Sequence, residues 1–221
     1  IIIGIEPENY AEKTMTISDA TARKICLDHW DANGDGKLTY GEAAAVNNFG
    51  TVFQGTAIKT FKELYYFTNL TELPDDAFNG CQQLTTIRLP KNISLIGARS
   101  LKGCMKLSQL DLPDHVKSIG EEAFSGCSQL AVLQLPDELK LLSAGILKGC
   151  EALTSVDLPI TVTAIGDQAF SGCKSLKTFE LNTYQPEDIA LGQNVFENCN
   201  LSQAVLYTLQ GTKNYLKEAD Q

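Results

Sequence analysis

Cys81, Cys104, Cys127, Cys150 and Cys173 follow one another at a constant interval of 23 residues. A fixed period of that length identifies a stacked-repeat architecture before any single residue is interpreted. Other positions keep the same register. Leu84, Leu107, Leu130, Leu153 and Leu176 recur, as do Ile87, Leu110, Leu133, Val156 and Phe179. Leu89, Leu112, Leu135, Leu158 and Leu181 complete an L-x-x-L-x-L pattern in each unit. Pro90, Pro113, Pro136 and Pro159 follow four of these strands, where a residue without an N–H ends a ladder.

Units of this length and pattern are leucine-rich repeats, each a short strand, a turn and a compact return segment. No unit can bury its own apolar residues, so successive coils stack and share one core. The predicted fold is an α/β repeat solenoid with 23-residue units, capped N-terminally by a small helix-loop-helix. Phe61, Leu64 and Tyr66 are assigned to the strand of an atypical first unit, and Cys199, 26 residues after Cys173, marks an atypical last one. Gly80, Gly103, Gly126, Gly149 and Gly172 precede the cysteines, where a left-handed residue would close the helical turn; Asn198 takes that place in the last unit. The expected organisation is an extension over 1–14, a cap over 15–56 and the solenoid over 57–221. A C-terminal cap is expected from about residue 200, with a short helix in the tail 211–221.

A column of identical inward positions gives each thiol two equal neighbours, which suits packing better than pairing. The cysteines are read as buried, reduced core residues. There is no C-x-x-C, and His29 and His115 are far apart in sequence, so zinc or cysteine catalysis has little support.

Residues 31–42 are of a different kind: Asp-Ala-Asn-Gly-Asp-Gly-Lys-Leu-Thr-Tyr-Gly-Glu. They match every specified position of the EF-hand loop D-x-[DN]-x-[DN]-G-x5-E. Calcium is a hard cation that takes six to eight oxygens. Asp31, Asn33 and Asp35 would supply side-chain oxygens, Lys37 its backbone carbonyl, Thr39 a hydroxyl or a bridging water, and Glu42 a bidentate carboxylate. Ser18 or Thr16 is expected to cap the preceding helix, and Gly50 to end the following one. A single loop leaves Leu38 without the partner loop of paired EF-hands. Its expected partner is the open end of the solenoid at Phe61–Tyr66, making residues 15–56 a calcium-stabilised cap.

The residues flanking the central apolar position of each strand face outward on the concave sheet, the surface solenoids use for binding. Tyr65, Arg88, Asp111, Gln134, Asp157 and Glu180 form one such column. Its acidic and aromatic character suits a sugar, a cationic peptide or a protein; a merely solvated face is the alternative. Asp157 and Glu180 on adjacent coils also raise a glycosidase-like pairing. Catalysis, however, needs a water-excluding pocket that short repeats do not build, so no enzymatic activity is expected. The net charge of −9 argues against nucleic acid and anionic membrane surfaces. No apolar run reaches the roughly 18 residues of a membrane span.

The unit L-x-x-I-x-L-P…I-G-x-x-A-F-x-G-C resembles the BspA-like leucine-rich repeats of Bacteroidetes surface and secreted proteins. Residues 119–135 and 165–181 fit best, while Gly145-Ile146 and Ser100-Leu101 depart from the usual Ala-Phe. The resemblance implies a secreted or cell-surface, non-enzymatic module binding a host or environmental protein or glycan. A structural segment of a larger surface protein is the second reading, and a carbohydrate-active enzyme the third.

Overall fold

Asp19 caps a helix and anchors a strand of the solenoid with one carboxylate. Helix α1 spans Ala20–Trp30, and Asp19 Oδ1 caps it by accepting from the N–H groups of Thr21 (2.9 Å) and Ala22 (3.0 Å). Its other oxygen accepts from the N–H of Lys59 at 2.9 Å and Thr60 at 3.4 Å, the entry to the solenoid. The N-cap is therefore Asp19 rather than Ser18 or Thr16; the Ser18 N–H is directed instead to Glu63 Oε1, 3.2 Å away. Helix α2 spans Tyr40–Ala45 and opens with a reciprocal capping box between Thr39 and Glu42. It ends at a Val46 cap, before Gly50 is reached. This computed structural model describes residues 10–181 and 189–201, and the backbone of 205–208. The expected helix over 211–221 lies outside the described residues.

The solenoid strands are short and parallel. In chain order they are β1 (Thr60–Phe61), β2 (Glu72–Leu73), β3 (Thr86–Ile87), β4 (Leu95–Ile96) and β5 (Ser118–Ile119). After these come β6 (Leu141–Leu142), β7 (Ser155–Leu158), β8 (Ala164–Ile165), β9 (Thr178–Leu181), β10 (Ala190–Leu191) and β11 (Val205–Thr208). The L-x-x-L-x-L segments supply one ladder, paired β1–β3 at one end and β7–β9–β11 at the other. The return segments supply a second ladder, β2–β4–β5 and β6–β8–β10. The intervening segments around Leu110 and Leu133 face inward like the others but carry no strand pairing.

The first unit departs from the expected alignment. Phe61, not Leu64, pairs with Ile87, an offset of 26 residues. Leu64 and Tyr66 lie in a 3-10 helix, Lys62–Tyr66, that turns the chain away directly after β1.

One hydrophobic core runs from Met15 to Phe196 through both the cap and the coils. Trp30 of α1 stands within 5.5 Å of Phe67 and 6.1 Å of Phe53 (ring centroids), and Phe53 stacks on Phe78 at 5.1 Å. These rings fill the space between cap and first coils. Tyr66 is committed to the same packing, edge-on to Tyr40 at 4.9 Å. Leu38 is buried in the same hydrophobic cluster as Phe61 and Leu64, and its backbone is paired within the cap. Its carbonyl accepts from the Met15 N–H at 2.7 Å, and the Tyr40 N–H donates to the Lys13 carbonyl at 3.0 Å. Residues 13–15 thus form an antiparallel bridge with residues 38–40.

The cysteine column is buried and, like Cys26 and Cys199, in the thiol state. Each Sγ–H has an acceptor on the preceding coil: Cys104 on the Phe78 carbonyl, Cys127 on Leu101, Cys150 on Phe124 and Cys173 on Leu147, at 3.2–3.3 Å. A small apolar side chain with one weak donor therefore fits where serine would be too polar and alanine too short. Next to each cysteine, Gly80, Gly103, Gly126, Gly149 and Gly172 have φ of +72° to +76°, and each stands over the backbone of the glycine one coil earlier. Asn198 adopts φ +59° in the last unit.

Candidate binding face and calcium loop

The outward column is built by the register of the first ladder. Val156 pairs with Phe179 and Leu158 with Leu181, all buried, so Asp157 and Glu180 between them are register partners that point to solvent. Arg88, one residue after the buried Ile87, and Asp111 and Gln134, after Leu110 and Leu133, are exposed in the same way. Strand pleating dictates the alternation at Asp157 and Glu180, and the buried leucines on either side keep it at Asp111 and Gln134 without strand pairing. Tyr65 is not a member of the ladder, because its segment is the 3-10 helix. It nevertheless meets the column: the Arg88 guanidinium lies 3.8 Å from the centre of the half-buried Tyr65 ring. That contact sets the charged group over an aromatic face. The column therefore runs from one aromatic-backed cation to three carboxylates.

The face is open. A cavity of about 140 Å3 adjoins Gln134, lined by Leu112, Asp114, Leu135, Pro136 and Asp137. It is smaller than the roughly 300–1,000 Å3 of small-molecule pockets. Asp157 and Glu180 stand on the exposed strand surface. This arrangement can present charge to a macromolecule.

The loop at the cap folds around Asp31. Its Oδ1 accepts from the N–H of Gly34 at 2.9 Å and of Asp35 at 3.2 Å, and its Oδ2 from that of Gly36 at 2.8 Å. Asn33 Oδ1 accepts from Asp35 N–H at 3.0 Å, and Asp35 Oδ1 from Lys37 N–H at 2.9 Å. Glu42 reaches back across the loop to the Ala32 N–H at 3.0 Å and to the Thr39 N–H at 2.8 Å. Burial works against its ionisation, yet the bonds from Thr39 and Ala32 hold its carboxyl below the ordinary glutamate value. Gly34 and Gly36 make the turns at φ +69° and +77°. The loop thus brings the ends of the twelve-residue segment together, with its carboxylates turned onto backbone N–H groups. Among the described residues, no three His, Cys, Asp or Glu side chains are gathered in a way that could hold a metal ion.

Asp19, Ser143 and Gly145 carry structural weight that pattern reading alone missed. For Asp19 the signal was present in the adjacent Ser18-Asp19 pair before the apolar run of α1.

Two parallel ladders, a stacked cysteine column and an open polar face define a leucine-rich repeat solenoid, a class of typically non-enzymatic protein-interaction modules. The family model for the BspA-type leucine-rich repeat region matches six copies over residues 51–177 and 96–216, and the chain belongs to that family. Among solved structures it is similar to a leucine-rich repeat protein of T. pallidum, at 29% identity and a TM-score of 0.53, covering 63% of this chain and 68% of that one. A leucine-rich repeat protein of Bacteroides ovatus is similar at 23% identity and a TM-score of 0.46, covering 64% of this chain and 48% of that one. No curated protein matches the chain. Among the described residues, no helix is long and apolar enough to cross a membrane.

Proposed function

We propose that this chain is a secreted or surface-exposed adhesion module that binds a host or environmental protein or glycan through Arg88, Asp111, Gln134, Asp157 and Glu180, with Tyr65 backing Arg88. One observation carries the reading: successive coils expose a line of mostly charged side chains, with Asp157 and Glu180 as register partners. Such a face recognises an extended partner by charge complementarity. The −9 net charge and the column's carboxylates favour a partner with cationic or hydroxyl-rich groups. The family's occurrence on bacterial surfaces supports the location.

Calcium belongs to the same reading. Asp31, Asn33, Asp35, Lys37, Thr39 and Glu42 offer only oxygen donors in the order an EF-hand loop uses, and the glycine turns and loop closure fit the ion. The ion would replace backbone N–H groups as the partner of these carboxylates and hold the cap to its packed position. Its effect is structural stabilisation by mass action, about 2.7 kcal/mol at a hundredfold excess over its dissociation constant.

The test is an array of host and dietary glycans, mucins and matrix proteins, probed in calcium with the wild-type chain and with an Asp111→Lys, Asp157→Lys variant. Binding lost in the variant supports the column as the site. Binding kept in full would remove the column from the mechanism.

A further inference from the structure

We propose that Asn33-Gly34 is a self-modifying site, at which groups of the loop itself convert Asn33 into aspartate and isoaspartate with water as the one co-reactant. The chain holds two Asn-Gly pairs, Asn33-Gly34 and Asn79-Gly80. In such a pair no Cβ crowds the glycine nitrogen as it attacks the side-chain amide carbon. The two pairs differ in what surrounds the reacting atoms. The nucleophile at the first is the Gly34 nitrogen, whose proton must be taken. That N–H already donates to a carboxylate, Asp31 Oδ1, at 2.9 Å, a general base within hydrogen-bond reach. The electrophile is Asn33 Cγ. Its Oδ1 accepts from the Asp35 N–H at 3.0 Å, a fixed donor for the oxygen on which negative charge develops. The leaving group, Asn33 Nδ2, has no hydrogen-bond partner among the described residues, and Asn33 is exposed. Around Gly34 nothing lies within 4 Å of the point where a Cβ would stand.

At Asn79-Gly80 the surroundings oppose the reaction. The Gly80 N–H donates to the Lys102 carbonyl at 2.7 Å, an acceptor that cannot take a proton and a bond that joins one coil to the next. Asn79 Nδ2 is held by Asp76 Oδ1 at 2.8 Å, and both residues of the pair are half-buried. The steps at Asn33 balance. Gly34 N bonds to Asn33 Cγ while its proton passes to Asp31. The Cγ–Nδ2 bond then breaks, and the nitrogen leaves as ammonia with that proton. Water opens the resulting cyclic imide at either carbonyl, giving aspartate or, with the backbone rerouted through Cβ, isoaspartate. Ammonia is lost, water is gained, and nothing is oxidised or reduced. Either product adds a carboxylate to the loop, and isoaspartate also lengthens its backbone.

The experiment incubates the full chain with chelator at mildly alkaline pH, natively and in urea. Mass spectrometry follows the peptides of both pairs, and enzymatic methylation reports isoaspartate. In the native chain Asn33 should convert several-fold faster than in urea, while Asn79 stays an amide. Asp31→Asn, with its fold checked by a melt, should convert Asn33 no faster than the urea sample. Native Asn33 no faster than in urea, Asn79 keeping pace with it, or an undiminished native rate in Asp31→Asn would each overturn the proposal.

Discussion

The Ser143 hydroxyl donates to the Ile119 carbonyl one coil earlier. In the other coils the acceptor at this place takes a backbone N–H: Gly97 donates to Leu73, Gly120 to Ile96, Gly166 to Leu142 and Gly192 to Ile165, at 2.7–2.8 Å. Glycine is required there because a Cβ would fall 2.4–2.6 Å from a backbone nitrogen of the preceding coil. Serine cannot approach so closely, and the second ladder divides between β5 and β6. The hydroxyl substitutes for the missing bond. Ser143→Ala should therefore destabilise the fold by about 1 kcal/mol, the net value of a typical hydrogen bond. Gly166→Ser should cost more, since its Cβ would press on Ala144 N at 2.6 Å. Denaturant melts of both variants check this, and a neutral Ser143→Ala would refute the substitution.

Asp19 joins the cap to the coils, so its loss should be felt globally. Asp19→Ala removes a helix cap and leaves the Lys59 and Thr60 N–H groups without their acceptor, at about 2–4 kcal/mol together. Asp19→Asn should cost less. Burial opposes ionisation here, but bonds from Ala22, Lys59, Thr60 and Thr21 prevail and lower the carboxyl below its ordinary 3.8. A depressed pKa contributes stability above the unfolded value, lost as pH falls through the folded one. The acid limb of the wild-type melting profile should accordingly flatten in Asp19→Asn.

The cysteine column predicts an alkaline limit. Burial pushes the Cys127 thiol up to about 12 and raises those of Cys104 and Cys150 as well. A raised pKa contributes stability that is complete below the unfolded value of 9.0 and is lost as pH rises toward the folded one. Melting temperature should fall steadily above that pH. Cys127→Ala should reduce the slope while costing about 1–2 kcal/mol at neutral pH, from the lost S–H···O bond and the cavity.

Calcium should raise the melting temperature of the wild-type chain, and chelator should lower it. Asp31→Ala with Glu42→Ala should abolish both responses. A wild-type melt indifferent to chelator would end the calcium reading.

The repeat period, the inward leucine columns, the left-handed glycines and the reduced cysteines were legible because every coil imposes the same environment on the same position. Legibility ended where a coil departs from its neighbours. The 3-10 helix after Phe61 inserts residues that a strict 23-residue extrapolation cannot register, so Leu64 and Tyr65 were assigned to a strand they do not occupy. The fourth coil exchanges its glycine: Ser143 stands at the close-approach position, and Gly145 takes the left-handed slot that Arg99, Glu122 and Gln168 hold at φ +53° to +54°. Gly145-Ile146 was visible in sequence as a departure, but its compensation requires knowing which turn position is left-handed.

In the cap, the twelve-residue loop between two helices was legible, whereas the antiparallel bridge that ties the end of the loop to Thr14 was not. That bridge depends on residues 13–15, which have no periodic signature. The partner of the outward column is unreadable for a physical reason. Arg88, Asp111, Gln134 and Glu180 face water, and core packing places no demand on their identity.

The double use of Asp19 bears on how many molecules a solenoid of this kind assembles into. A parallel coil stack has an open end whose unpaired N–H groups are a template for the next chain, and end-on addition there propagates without limit. At β1 the donors Lys59 and Thr60 are already taken by a carboxylate, and aromatic rings cover the coil beneath. The cap thus works as a chain terminator against fibre growth from that end.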